Sequence, residues 1–404
     1  MLLTLRGPEY FPVLDQWLND DDSISFVSIL GQIVYCGYHA IQAPPALLDR
    51  LSQCQGLSRD QALALEQMGR ELTAPTIPWD KVSDSLVLTG PVGPTTDPGG
   101  AIRWHRRDWK WLVDKRHLDV TVLAGENAND ALWYRWLGRA WGARARPGLS
   151  RTGDEVELRC RGLGGQTAWQ EILLAANEGD PILGIVDSDR DYDHPDAKLG
   201  DTAKAAKEYT DKRSTELLTR IEVLQARDVE NILPLSLVKL AGEGTQWLDP
   251  MVERGFFARP AVDPALAYID LGKDQCERRL LNTRHQATLD YRTRALARIR
   301  QADPTCTGSA STCEKLARGE QECNKPWSDL CASCIIVHSV GKRLLPNIVK
   351  LVEDEHKSPN HSRNTLSVAD WLASMLPRDD LAVLGPARLA WSWGLRLRPR
   401  VRTV

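Results

Sequence analysis

The stretch Ile182–Asp193, ILGIVDSDRDYD, constrains this chain more than any other. Ile182 to Val186 are apolar or Gly and rich in β-branched residues, as a short buried strand requires. Asp187, Asp189, Asp191 and Asp193 follow at alternate positions. A buried strand that ends in alternating acids sets several oxygen ligands at the carboxyl edge of a sheet. Hard cations such as Mg²⁺ take such ligands, and α/β sheets bind their ligands at that edge. A solvated acidic turn is the plain alternative. A calcium loop of the EF-hand kind fits poorly, because Tyr192 stands at its Gly position and Lys198 at its final Glu.

A second strand-and-acid unit lies upstream. Val120–Leu123 is β-branched and strand-like, Gly125, Glu126 and Asn127 make a turn, and a helix begins near Asn129. Its stripe is Leu132, Trp133, Trp136, Leu137 and Ala140. Asp130 falls in the first helical turn, where it also suits the helix dipole. Gly164 and Gly165 precede another helix with Trp169, Ile172 and Leu173, and the strand Ile182–Val186 comes next. Strand, helix and strand in that order predict a parallel crossover, which brings Glu126 and Asp187/Asp189 to one edge. Ala203–Arg220 reads as helical, and Glu222–Leu224 as a further short strand. It runs into Asp228-Val229-Glu230-Asn231-Ile232-Leu233-Pro234, so Glu230 is a third acid beyond a strand end.

With 404 residues, two or three domains are expected. The net charge is -3, so any nucleic-acid surface must be local. No apolar run approaches the roughly 20 residues of a membrane span, and MLLTLRGPEYFP lacks the pattern of a signal peptide. A cytoplasmic protein with no membrane partner is therefore expected. In that compartment the nine cysteines are thiols or metal ligands before they are disulfides.

The flanking segments say less. Ala46–Leu72 predicts two helices, with Ser58 as N-cap of the second. Gly90–Gly100 is a Pro/Gly loop without the Gly-Lys-Ser/Thr ending of a phosphate loop. Arg103, Arg106, Arg107, Lys110, Lys115 and Arg116 interleave with Trp104, Trp109 and Trp111. That mixture suits a nucleic acid, but an amphipathic helix with a buried Trp face is the preferred reading. Gly244–Arg300 reads as largely helical. Cys306, Cys313, Cys323, Cys331 and Cys334 then crowd together, with His338 just after. Four of these five cysteines would hold a structural Zn²⁺, ahead of an iron–sulfur cluster or unligated thiols. Cys36, Cys54, Cys160 and Cys276 read as ordinary buried residues. Trp391, Trp393 and the arginines from Arg396 to Arg402 suggest an exposed, extended basic tail, able to follow a nucleic-acid backbone or dock on a partner.

Taken together, Val122-Leu123-Ala124-Gly125-Glu126-Asn127-Ala128-Asn129-Asp130, Asp187-Ser188-Asp189 and the Asp228–Pro234 stretch resemble a TOPRIM domain. This is the metal-binding module of topoisomerases, some primases and OLD-family nucleases. Val340-Gly341-Lys342-Arg343-Leu344-Leu345 is similar to the Gly-Lys segment of the nuclease branch. Asn127 departs from the pattern, which has Gly after the Glu. The resemblance implies an α/β protein with a TOPRIM-like central parallel sheet flanked by helices. It divides the chain into a helical N-terminal region (1–118), the core (119–243), a helical segment (244–303), a cysteine-rich metal-binding insertion (304–338) and a C-terminal part (339–404). It implies Mg²⁺ or Mn²⁺ at Glu126, Asp130, Asp187, Asp189 and Glu230, with Lys342 offsetting charge on a scissile phosphate. The expected activity is endonucleolytic, on DNA or RNA, in an effector of anti-phage defence. Its expected partner is a regulatory protein such as an ATPase, or further copies of the chain. A non-catalytic nucleic-acid-binding or partner-binding subunit is the alternative. A topoisomerase or primase fits less well, since no cleavage domain or nucleotide-binding loop stands out.

Overall fold

The computed structural model describes residues 1–5, 20–71, 82, 84–89, 103–115, 118–145, 156–164, 167–178, 180–192, 194, 197–212, 218–241, 267–271, 275–302, 336–337, 343–357 and 367–395. Within them, two parallel four-stranded sheets are flanked by helices.

The first sheet pairs Leu2–Leu5 (β1), Ala40–Gln42 (β2), Asp84–Thr89 (β3) and Arg103–Asp108 (β4) in the order β2-β1-β3-β4, all parallel. The helices Asp21–Cys36 (α1), Pro45–Ser52 (α2), Arg59–Glu71 (α3) and Trp109–Lys115 (α4) accompany it. Asp20 starts α1 by accepting from the amides of Asp22 and Ser23 at 2.9 and 3.1 Å. Ser58 caps α3 as its position predicts: its Oγ accepts from Gln61 N at 3.2 Å, and Gln61 Oε1 accepts from Ser58 N at 2.9 Å. Phe26, Leu30, Leu48, Met68, Leu86 and Trp109 bury together.

The expectation of a mostly helical N-terminal region missed this four-stranded sheet. The strands carry no periodic signal of their own. β1 is four residues long, and β4 reads RWHRRD. The same pairing corrects the amphipathic-helix reading of 103–116. Its first half is an edge strand on β3, and α4 is helical only from Trp109. Trp109 does bury, at 3% exposure.

The second sheet is built from Val122–Gly125 (β5), Arg159–Gly162 (β6), Ile182–Val186 (β7) and Thr219–Val223 (β8), ordered β6-β5-β7-β8 and all parallel. Ala128–Ala145 (α5), Ala168–Asn177 (α6) and Asp201–Lys212 (α7) connect them. Every residue of β7 is buried, as its apolar run demands. β5 pairs Ala124 with Gly184 of β7, and β7 pairs Val186 with Val223 of β8. The turns after the three strands therefore leave the sheet at one edge.

Val229–Ile232 is a 3₁₀ turn, followed by Leu235–Ala241 (α8). Gln275–Cys276 (β9) pairs antiparallel with Ile336–Val337 (β10), and Glu277–Leu281 (α9) and Gln286–Ala302 (α10) follow β9. Leu344–Lys357 (α11), Val368–Met375 (α12) and Leu381–Gly394 (α13) close the described chain. α13 corrects the reading of the tail as extended and exposed from Trp391. Trp391 and Trp393 are fully buried and lie on this helix. Gly142 of α5 makes room for Trp391: a Cβ there would meet its ring at 2.9 Å. The residues from Arg396 onward lie outside the described ones.

Polar bonds join the two sheets. Arg220 of β8 donates from Nη1 to both carboxylate oxygens of Asp84 in β3, at 2.7 and 2.8 Å, and from Nη2 to Glu222 at 3.0 Å. Thr121 Oγ1 donates to Trp393 O at 2.8 Å, and Ala40 N to Leu395 O at 3.0 Å. Among the described residues, no helix is long and apolar enough to cross a membrane.

Candidate metal centre

Three turns deliver the acids, and each is held by local bonds. In the first, Asn127 is the N-cap of α5. Its Oδ1 accepts from Asn129 N at 2.9 Å and Asp130 N at 3.2 Å, and Asp130 Oδ2 accepts from Asn127 N at 2.9 Å. This reciprocal cap fixes the first turn on the start of α5. Close packing falls on Gly125. A Cβ there would meet Ala131 N at 2.7 Å and Asp130 Cβ at 2.8 Å. Gly125→Ala is expected to push the Glu126 turn off the start of α5 and to weaken Mn²⁺ binding about tenfold, since the change only displaces ligands. Calorimetric titration checks this.

In the second turn, Ser188 is buried and bonds across to the chain beyond β8. Its Oγ donates to Ala226 O at 2.6 Å, and its N and Asp189 N both donate to Arg227 O at 2.9 Å. Asp189 takes a left-handed backbone, φ 52°, which Asp tolerates better than most residues. Gly200 leaves space for it, because a Cβ there would run into the Asp189 carboxylate. In the third turn, Asn231 Oδ1 accepts from Asp228 N at 3.3 Å and Asn231 Nδ2 donates to Ile269 O at 3.0 Å. Arg227 N donates to Ala267 O at 2.8 Å.

Glu126, Asp130, Asp187, Asp189 and Glu230 lie near enough for their charges to act on one another, and so do Asp228 and Asp270. The proximity shows in their mutual repulsion. Burial, then the charges of Asp189 and Asp130, push the Glu126 carboxyl up to about 7. Burial, with a smaller contribution from Glu230, pushes Asp130 up to about 6. Asp187 is raised well above the ordinary aspartate range by burial and then by Glu126, Asp228, Asp130 and Glu230. Asp228 is raised likewise by burial, then by Glu230 and Asp270, with Arg227 opposing. Glu230 is raised by burial first and by Asp270 as well.

One oxygen in each of four side chains has no hydrogen-bond partner and is sealed from water: Glu126 Oε1, Asp130 Oδ1, Asp187 Oδ1 and Asp228 Oδ1. A sealed, unpaired carboxylate oxygen is costly, and four in one cluster of like charges call for positive charge. Oxygen-only donors of this number suit Mg²⁺ or Mn²⁺. Among the described residues, no three His, Cys, Asp or Glu side chains form a ready ligand set. The fit therefore rests on donor chemistry and on the orphaned oxygens.

Asp191 stands at the rim. Its Oδ1 accepts from Arg227 Nη1 at 2.7 Å and Arg292 Nη2 at 2.9 Å, which ties this loop to α10. Asp193, Lys342, His338 and Cys306, Cys313, Cys323, Cys331 and Cys334 lie outside the described residues. Of the other cysteines, Cys276 is buried as expected, while Cys36, Cys54 and Cys160 are only half-buried. Asp228 was legible in principle, since Asp228 and Glu230 repeat the alternate spacing of Asp187 and Asp189. Asp270 has no sequence signal, because it reaches the site through tertiary packing. Comparison with family models, curated proteins and solved structures returns no match for this chain.

Proposed function

We propose that this chain is a Mg²⁺- or Mn²⁺-dependent endonuclease, hydrolysing phosphodiester bonds of DNA or RNA from a TOPRIM-like core. The single observation that carries the reading is the set of four sealed, unpartnered carboxylate oxygens from Glu126, Asp130, Asp187 and Asp228. Glu126, Asp187 and Asp189 would hold one cation, and Asp130, Asp228 and Glu230 would hold a second. Bound there, the cations supply the Lewis acidity that phosphodiester hydrolysis needs. The chain's own part is to fix the carboxylates. The Asn127–Asp130 cap orients the first turn, the Ser188 bonds to Ala226 and Arg227 lock the second turn onto the third, and Asn231 anchors the third. The repulsion among these acids makes the site take up a proton or a cation, and near neutral pH the two compete at Glu126.

On the resemblance alone, Lys342 offsets phosphate charge, four cysteines of the 304–338 segment hold Zn²⁺, and the protein acts in anti-phage defence under a regulatory partner or as an oligomer. The test is cleavage of plasmid DNA and of tRNA with Mg²⁺ or Mn²⁺, wild type beside Glu126→Ala. The expected result is cation-dependent cleavage that the substitution lowers by more than about 100-fold, beyond what merely orienting residues contribute. Tight binding without cleavage, unaffected by the substitution, would instead identify a binding subunit.

A further inference from the structure

The turn after β7 carries more than acids. Arg190 follows Asp189 directly, and Tyr192 and His194 come soon after. Arg190 is half-buried, yet among the described residues no carboxylate pairs with its guanidinium. Its Nε is sealed from water without a hydrogen-bond partner. The neighbouring arginines differ, since Arg227 and Arg292 both donate to Asp191 Oδ1, at 2.7 and 2.9 Å. A guanidinium drawn partly out of water without an anion costs stability, and its planar fork matches a phosphate.

The rings of the same turn stack on one another and on a second element. Tyr192 lies against His285, just before α10, with ring centroids 5.2 Å apart and planes 30° from parallel. It lies against His194 at 6.5 Å and 22°. Joining the turn to α10 does not require these rings, because the ion pair of Asp191 with Arg292 already makes that joint. Nor is the stack a core contact: His194 and His285 are exposed, and Tyr192 is only half-buried. His285 is held by its Nδ1, which accepts from Thr288 N at 3.4 Å. The rings are thus fixed in place with surface left open, as a base-stacking platform requires. We infer that this turn and His285 form a docking surface for a single nucleic-acid strand. Arg190 takes a backbone phosphate, and the rings of Tyr192, His194 and His285 take a base, beside the acids of the same turn. An intact duplex does not fit, since a base meets a ring face only when it is unstacked from its neighbours. The inference rests on the reading of this site as one that acts on nucleic acid, and it names the single strand as the substrate class.

The experiment is fluorescence anisotropy of the full chain with short labelled single-stranded DNA and RNA, and with a duplex of the same sequence, over a salt series in EDTA and in Ca²⁺. Wild type is compared with Arg190→Gln, Tyr192→Leu and His285→Asn, with a thermal melt of each. Wild type is expected to bind the single strand more tightly than the duplex. Arg190→Gln is expected to bind about 10-fold more weakly and to flatten the slope of log affinity against log salt by about 0.7, the share of one phosphate in a single strand. Tyr192→Leu and His285→Asn are expected to bind about 5-fold or more weakly at an unchanged slope, because stacking releases no counterions. Asn at 285 can still cap α10, so this variant decides the matter if Tyr192→Leu melts early. If either Arg190→Gln or His285→Asn binds the single strand within about twofold of wild type, the inference is overturned. A wild type that prefers the duplex, or that binds no strand in either buffer, overturns it too. Cation-dependent cleavage alongside such unaltered variants would leave the nuclease standing without this surface. Strand binding that both substitutions weaken, with no cleavage in any cation, would keep the surface and sink the nuclease.

Discussion

Asp187→Asn is expected to abolish cation-dependent activity and, in the same protein, to raise the stability of the cation-free fold at pH 8. The two effects share one cause. Asp187 is raised well above the ordinary aspartate range by burial and by the charges of Glu126, Asp228, Asp130 and Glu230. At pH 8 keeping that carboxyl in the fold costs stability, whether it stays charged or takes up a proton. Asn has nearly the same shape, carries no charge, and brings an amide that can donate to a neighbouring carboxylate. The gain is expected to be on the order of 1–2 kcal/mol. Such a trade of stability against function is common at sites built from like charges.

The pH dependence has a definite sign. A carboxyl whose folded value is raised favours the fold while protonated. Its contribution is complete below the unfolded value and is lost as pH rises through the folded one. For Glu126 that window runs from 4.5 to about 7, and for Asp130 from 3.8 to about 6. Cation-free wild type should therefore lose stability between about pH 4 and about pH 7, and the advantage of Asp187→Asn should shrink as pH falls toward the ordinary aspartate value of 3.8. Saturating Mn²⁺ should restore the wild type, by about 2.7 kcal/mol at a hundred times the dissociation constant, and should leave the variant unmoved. Urea unfolding at pH 5 and pH 8, with and without Mn²⁺, measures all of this. A variant less stable than wild type at pH 8 would contradict it.

Asp84→Ala is expected to cost about 3 kcal/mol. Asp84 is fully buried on β3 and takes both bonds from Arg220 Nη1, which reaches over from β8. Removing the carboxylate leaves a largely buried guanidinium with Glu222 alone. That remaining partner sets the loss toward the lower end of the range for a broken buried pair. Since the bond joins the two sheets, loss of it should loosen them together and lower the urea midpoint in a single transition. Retention of wild-type stability would mean that other contacts, such as Thr121 with Trp393, carry the junction alone.

Several parts of this protein are written locally. β7 could be recognised because five apolar residues in a row must be buried on both faces. The helix after Glu126 announces itself through its stripe and through Asp130, and the cap at Ser58 through its spacing to Gln61. The convergence of Glu126 with Asp187 follows from the crossover rule, which needs only the order of the elements.

Other parts depend on distant residues. β4 and β6 are polar strands that become strands only because β3 and β5 offer backbone partners. Gly385-Pro386 would ordinarily interrupt a helix, yet α13 runs through it because its apolar residues pack against α5. The sequence by itself therefore determined the buried strand and the acids at its end, because hydrophobic periodicity and turn chemistry are local. Only the tertiary structure decided the N-terminal sheet, the burial of Trp391 and Trp393, and the approach of Asp228 and Asp270 to the other acids. Those outcomes depend on partners far away in the chain, and no local pattern encodes them.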